Sequence, residues 1–236
     1  MSRPRPAVAI DGPAGAGKTT VTRRVAERLG YVLVGTGALY RCVALAAQRR
    51  GIDWGDEGAI GELAHDLAAR DAIQFASGQG AQQRVLLEGD DVSTAIRAED
   101  IGQGASKVSA LPEVRRALLD MQRAAGADGG VVLEGRDIGT VVLPDAEAKF
   151  FLTARVDVRA QRRFDELTAA GTEAVLGHVL SEVIERDRRD STRPVAPLKQ
   201  AEDAELIDSS SMSIDQVVDV IVRHVEEIER QMHGAS

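Results

Sequence analysis

The stretch AVAIDGPAGAGKTT, Ala7 to Thr20, decides how the rest of the chain is read. Val8, Ala9 and Ile10 form an apolar run suited to a buried parallel strand, and Gly12-Pro13-Ala14-Gly15-Ala16-Gly17-Lys18-Thr19 follows at once. The eight residues fit G-x-x-x-x-G-K-[ST], whose glycines let a turning backbone aim several N–H groups at one anion. Lys18 adds a mobile point charge for the outer phosphates, and the Thr19 hydroxyl stands where a magnesium ion would be ligated. After the loop, Val21, Val25 and Leu29 recur every four residues between Arg23, Arg24, Glu27 and Arg28, and Gly30 stops the pattern. Strand, loop and helix agree on a P-loop, Gly12 to Thr20, that binds a nucleoside triphosphate or similar phosphorylated ligand.

A chain of 236 residues buries one good core, and the length suits a single domain, 1–236, carrying an insertion. No apolar run approaches a membrane span, and the basic segment Met1–Pro6 lacks a hydrophobic signal core, so a cytoplasmic protein with no membrane partner is expected. The net charge of −8 argues against nucleic acid as a partner. The lone Cys42 permits no internal disulfide, and its Ala/Leu-rich helix suggests a small buried apolar residue. Arginine outnumbers lysine 25 to 4, and arginine is the better fork for bidentate phosphate contacts.

Further along, Tyr31–Val34 reads as a second strand and Ala38–Arg50 as a helix with Thr36 as its N-cap. Tyr40 and Arg41 lie in that helix's first turns, near a strand end where ligands of open α/β sheets collect. Taken alone, Tyr40 reads as a packing residue and Arg41 as a solvated charge. From Glu62 the texture changes. A helix Glu62–Arg70 leads to Ile73–Phe75, a glycine-rich turn at Ser77–Gly80, the strand Arg84–Glu88 and a turn at Gly89–Asp91, which together suggest a small antiparallel sheet inserted in the strand–helix rhythm. Helices at Glu99–Ala110 and Glu113–Ala125 follow. Strands are then expected at Gly130–Glu134 and Ala148–Leu152, and a helix Val156–Thr168 carries Arg159, Arg162 and Arg163 on one face. A helix starting at Thr172 runs to Arg193, Leu206–Asp208 is a last strand, and Ser213 with Gln216 caps the terminal helix Ile214–Met232.

A P-loop specifies a phosphorylated ligand and leaves the acceptor open. No Asn/Thr-Lys-x-Asp or Asp-x-x-Gly segment supports a switch GTPase. Arg41, Arg136, the Arg159–Arg163 face and the Arg186–Arg193 cluster instead stand near strand ends or hinges, and such a ring repels itself unless it encloses a second phosphate. A phosphate monoester acceptor needs no general base, since its oxygen is largely deprotonated at neutral pH. This agrees with His65, His178, His224 and His233 being scattered without catalytic partners. Asp137 and Asp190 lie among arginines, either as structural ion pairs or as groups that hold a substrate hydroxyl or base edge.

Four blocks, GPAGAGKTT, GTGALYR, EGRDIGT and RDSTRPVAPL, in this order and with these gaps, closely resemble the bacterial cytidylate kinases. The resemblance runs from Val8 to about Val222. It implies an α/β P-loop kinase core with a parallel sheet flanked by helices, a small antiparallel NMP-binding subdomain near 63–110 and a short lid near 160–175. It also implies transfer of the ATP γ-phosphoryl group to CMP or dCMP with Mg2+, the P-loop residues Gly12 to Thr20 holding ATP; the route expected is electrostatic, without a general base, and the chain is expected to be a monomer. Carried over by position, Lys18 and Thr19 serve ATP and the metal, and Thr36, Ser106, Arg115 and Asp137 read cytosine. Tyr40 falls in the second block, Arg41, Arg136 and Arg193 face the CMP phosphate, and Arg186 with Asp190 meets the sugar. Arg159 and Arg163 close over the transferring group. Gly35 departs from the acidic residue that commonly opens the second block, and Thr36 stands where Ser can occur. A P-loop kinase for another metabolite and a nucleotide-sensing module without turnover remain the alternatives.

Overall fold

The computed structural model describes residues 3–77 and 83–234. The described chain divides into two compact units, one made of residues 1–32 and 128–236 and the other of 33–127.

In the first unit, β1 (Ala7–Asp11) is buried at every position, as its unbroken apolar run dictates. It pairs in parallel with β6 (Val131–Gly135) on one side and β7 (Ala148–Thr153) on the other, with Ile10 opposite Glu134 and Phe150. β8 (Glu205–Asp208) adds in parallel to β7, and β2 (Val32–Gly35) completes a five-stranded sheet in the order β2-β6-β1-β7-β8. Helix α1 (Lys18–Leu29) follows the P-loop and ends on Gly30 in the left-handed region. The terminal helix α8 (Ile214–Gly234) buries Val217, Val218, Ile221, Val222 and Val225 and packs on α1 and β7. Its start is the expected reciprocal cap: Ser213 N–H donates to Gln216 Oε1 at 2.8 Å and Gln216 N–H to Ser213 Oγ at 3.2 Å.

Helices α6 (Val156–Ala169) and α7 (Leu176–Thr192) share a small core of Ala160, Val179 and Val183. The expected start of α7 at Thr172 is four residues too early, because Gly171 turns left-handed at the end of α6 and Val175 is still extended. A π-helical segment of 5 residues, Ile138–Val142, follows β6 and was not anticipated.

In the second unit, α2 (Gly37–Arg49), α3 (Glu57–Ala69), α4 (Glu99–Val108) and α5 (Pro112–Gly126) enclose a continuous apolar core with Ile60, Leu67, Val108 and Leu118 among its fully buried members. α3 starts five residues before the expected Glu62, because the Asp56 carboxylate caps it by accepting from Ala59 N–H at 3.0 Å. Thr36 holds the N-cap position of α2, but its side chain makes no cap hydrogen bond. The inserted sheet is β3 (Ile73–Ser77), β4 (Gln83–Leu87) and the two-residue β5 (Asp90–Asp91), all antiparallel. The turn expected at Ser77–Gly80 lies outside the described residues from Gly78 onward. Cys42 is buried, and burial pushes its thiol up to about 12, as befits a packing residue. Among the described residues no helix is long and apolar enough to cross a membrane.

Candidate active site

The P-loop is fixed by its neighbours. A β-carbon on Gly12 would lie 1.9 Å from the Leu152 carbonyl oxygen, so only glycine lets the loop leave β1 this close to β7. Lys18 opens α1 and folds back, its Nζ donating to the Gly12 and Pro13 carbonyls at 2.7 Å each. Burial, with the positive fields of Arg136 and Arg186, holds the Lys18 ammonium well below its ordinary pKa against the opposing pull of Glu134 and Asp11. A site that disfavours its own cation in this way is completed electrostatically by an anion.

Thr19 is exposed at the start of α1, and its hydroxyl donates to Glu134 Oε1 at 3.1 Å, while Thr22 donates to Glu134 Oε2 at 2.8 Å. Sequence reading missed Glu134. The signal was there, in an acidic residue closing an apolar strand, but its register beside the P-loop strand required the sheet order. A hydroxyl and a carboxylate side by side are hard oxygen donors of the kind magnesium takes. Thr19 and Glu134 therefore fit a magnesium ion.

Past Glu134 the chain carries the expected arginine–carboxylate cluster. Arg136 Nε donates to Asp190 Oδ2 at 2.9 Å, and Arg193, the C-cap of α7, donates through Nη2 to Asp137 Oδ1 at 3.1 Å and through Nε to the Ala196 carbonyl at 2.6 Å. Burial alone would raise the Asp190 pKa, but the surrounding Arg136, Arg186 and Arg193 outweigh it and hold the carboxylate below its usual range. Asp11, at the end of β1, accepts from the Ile138 and Gly139 N–H groups, both at 2.8 Å, and so anchors the chain just after Arg136 and Asp137.

The three arginines of α6 do not act as one face. Arg159 is buried, donates to the Ala14 carbonyl at 3.0 Å and pairs with Asp187 at 2.6 Å, so it lies against the P-loop. Arg162, which sequence reading left out of the site, donates to the Ser209 hydroxyl and carbonyl at 3.1 and 2.8 Å, and Ser209 in turn reaches the Ala16 carbonyl. Arg163 is half-buried and donates to Glu166 Oε2 at 3.3 Å, one turn along the helix.

Five other expected positions, Thr36, Tyr40, Arg41, Ser106 and Arg115, lie in the second unit. Thr36, Ser106 and Arg115 are all buried. Arg115 donates to the Ser109 carbonyl at 3.2 Å, and its guanidinium stands 5.5 Å from the centre of the Tyr40 ring. Gln122, also buried and also missed, donates to the Tyr40 hydroxyl at 3.4 Å. It follows Leu118 by four residues, a polar side chain on an apolar helix face, which was the available signal. Arg41 donates to the Ile96 carbonyl at 2.7 Å and is half-buried, not simply solvated.

The family model for cytidylate kinase matches residues 8–227. The chain belongs to the cytidylate kinase family. Among the curated members, the cytidylate kinase of Citrifermentans bemidjiense is 53% identical over 220 residues, covering 93% of this chain and 92% of its own length. That of Pseudomonas aeruginosa is 51% identical over 222 residues, covering 94% and 95%. A solved structure of an uncharacterized protein from Eubacterium ventriosum superimposes with a TM-score of 0.53 at 13% identity, over 94% of this chain and 99% of its own, a likeness of fold alone. Family membership bears out the resemblance drawn from the four sequence blocks, and the parallel sheet with its separate antiparallel one bears out the expected fold class.

Proposed function

We propose that the chain is a nucleoside monophosphate kinase that transfers the γ-phosphoryl group of ATP to CMP or dCMP. The observation that carries this reading is the set of arginines, half-buried Arg136 and buried Arg193 with Arg186 nearby, held on Asp190 and Asp137 beside a complete P-loop in a chain of this family. One triphosphate does not need that much positive charge; a second phosphate does.

In this reading Gly12 to Thr20 cradle ATP, Lys18 exchanges its loop carbonyls for the outer phosphates, and Arg159, pressed on Ala14, holds the transferring group. Arg163, half-buried on α6 within the lid expected near 160–175, closes over that group together with Arg159. Arg41, Arg136 and Arg193 neutralise the acceptor phosphate, and Arg186 with Asp190 holds the sugar. Thr19 and Glu134 would hold a magnesium ion, which would supply charge neutralisation on the phosphates. The acceptor oxygen is already ionised, so alignment and charge complementarity carry the rate, with no general base.

Cytosine presents an amino donor at N4 beside acceptors at N3 and O2. Asp137 is the carboxylate to accept from N4, Arg115 the cation to donate to N3 and O2, and Thr36 and Ser106 supply hydroxyls. Tyr40 braces Arg115 from the side. Uracil puts an oxygen where N4 would be, facing Asp137 with a repulsive partner. The account also takes the enzyme to be a cytoplasmic monomer.

ADP release measured with CMP, dCMP, UMP, AMP and GMP tests the assignment. CMP and dCMP are expected to exceed UMP in kcat/KM by roughly 5- to 150-fold, the equivalent of about 1–3 kcal/mol of base discrimination. AMP or UMP as the preferred acceptor would refute it.

A further inference from the structure

Helix α4 carries two interior glycines, Gly102 and Gly104, on its buried side. Glycine inside a helix costs roughly 0.5–1 kcal/mol against alanine, so each position calls for a steric reason. Gly104 has a packing reason. A β-carbon there would lie 2.5 Å from the indole of Trp54, which is itself tied to the Ala44 carbonyl by a 3.0 Å hydrogen bond.

Gly102 faces something else. A β-carbon at this position would stand 3.3 Å from Arg41 Nη2, 3.4 Å from Nη1 and 3.7 Å from Cζ, against the Nη1–Nη2 edge of the guanidinium, with the Nη2 approach tighter than ordinary van der Waals contact. On its other flank Arg41 donates through Nη1 to the Ile96 carbonyl, at the 3-10 turn Ala95–Arg97 that leads into α4. The guanidinium is thus seated between a carbonyl acceptor and the bare backbone of a helix.

We propose that Gly102 is a positioning residue for phosphate recognition: by leaving no side chain, it sets the plane and reach of the Arg41 fork. The proposal rests on the reading above that Arg41 meets the acceptor phosphate. A guanidinium recognises phosphate through two parallel N–H groups in a fixed plane, so a shift of a few tenths of an ångström alters both bonds together. The three atoms nearest to a methyl group at Gly102 all belong to the Arg41 guanidinium, which directs the effect to Arg41.

The test is a double-mutant cycle of Gly102→Ala and Arg41→Met, read as steady-state constants for CMP and ATP together with thermal midpoints. Gly102→Ala is expected to raise KM for CMP about 3- to 10-fold, since an ångström of misplacement costs on the order of 100-fold. KM for ATP should stay within about twofold and the thermal midpoint should hold or rise, because alanine favours the helix. In the Arg41→Met background the same substitution should change KM for CMP by less than about twofold. A substitution at Gly102 that leaves KM for CMP unchanged, or changes it equally in both backgrounds, overturns the proposal. An Arg41→Met variant with unaltered KM for CMP instead overturns the phosphate role of Arg41, on which the proposal stands.

Discussion

Replacing Arg193 with lysine is expected to lower kcat/KM for CMP by roughly 5- to 150-fold, about 1–3 kcal/mol of transition-state stabilisation, while keeping the positive charge. Arg193 is 6% exposed and uses two separate nitrogens, Nη2 on Asp137 and Nε on the Ala196 carbonyl. An ammonium at the end of a flexible stem cannot hold two acceptors in fixed directions and still present a planar face to a phosphate. The cost is compounded by Asp137, 4% exposed, whose carboxylate would lose the directed guanidinium hydrogen bond in a dry setting. KM for ATP should change little, because the P-loop contacts made by Lys18 and Arg159 do not involve Arg193. Near-wild-type turnover in Arg193→Lys would remove Arg193 from phosphate recognition.

The second large effect concerns stability. Burial, aided by the nearby Asp137 charge, pushes the Asp11 carboxyl up to about 6 from 3.8, despite the opposing Gly139 and Ile138 N–H groups and Lys18. A folded-state pKa above the unfolded value means that the folded chain takes up the proton more readily. Keeping Asp11 ionised therefore costs stability above pH 6, about 3 kcal/mol at pH 7.5, and the cost shrinks as pH falls through 6 toward 3.8. Asp11→Asn removes the charge and keeps one acceptor oxygen. In urea unfolding, the wild type should gain about 1–1.5 kcal/mol on that variant between pH 7.5 and pH 5. A gap independent of pH would show that Asp11 does not titrate there.

What could be read from sequence alone was whatever neighbours in the chain determine. The strand, loop and helix around Gly12–Lys18 and the Ser213–Gln216 cap are local, and both stand as read. The four motif blocks likewise placed Arg136, Asp137, Asp190 and Arg193, which the fold brings together as two ion pairs. Long-range partners were illegible. The π-helical turn at Ile138–Val142 is pinned by Asp11, 127 residues earlier, and no local pattern announces it. Glu134 gains its meaning from lying on the strand beside β1, and Arg162 gains its own from Ser209. The first turn of the helix beginning at Glu57 was not read because Gly58 and Gly61 interrupt its apolar periodicity, whereas the Asp56 cap supports it.

The central claim is that this chain gathers its arginines to hold two phosphorylated nucleotides at once. Calorimetric titration of CMP into protein already saturated with a non-hydrolysable ATP analogue and Mg2+ tests it most directly. One further nucleotide bound per chain, with affinity weakened in Arg193→Lys, is the expected result; no CMP uptake on the analogue-loaded protein would contradict the account.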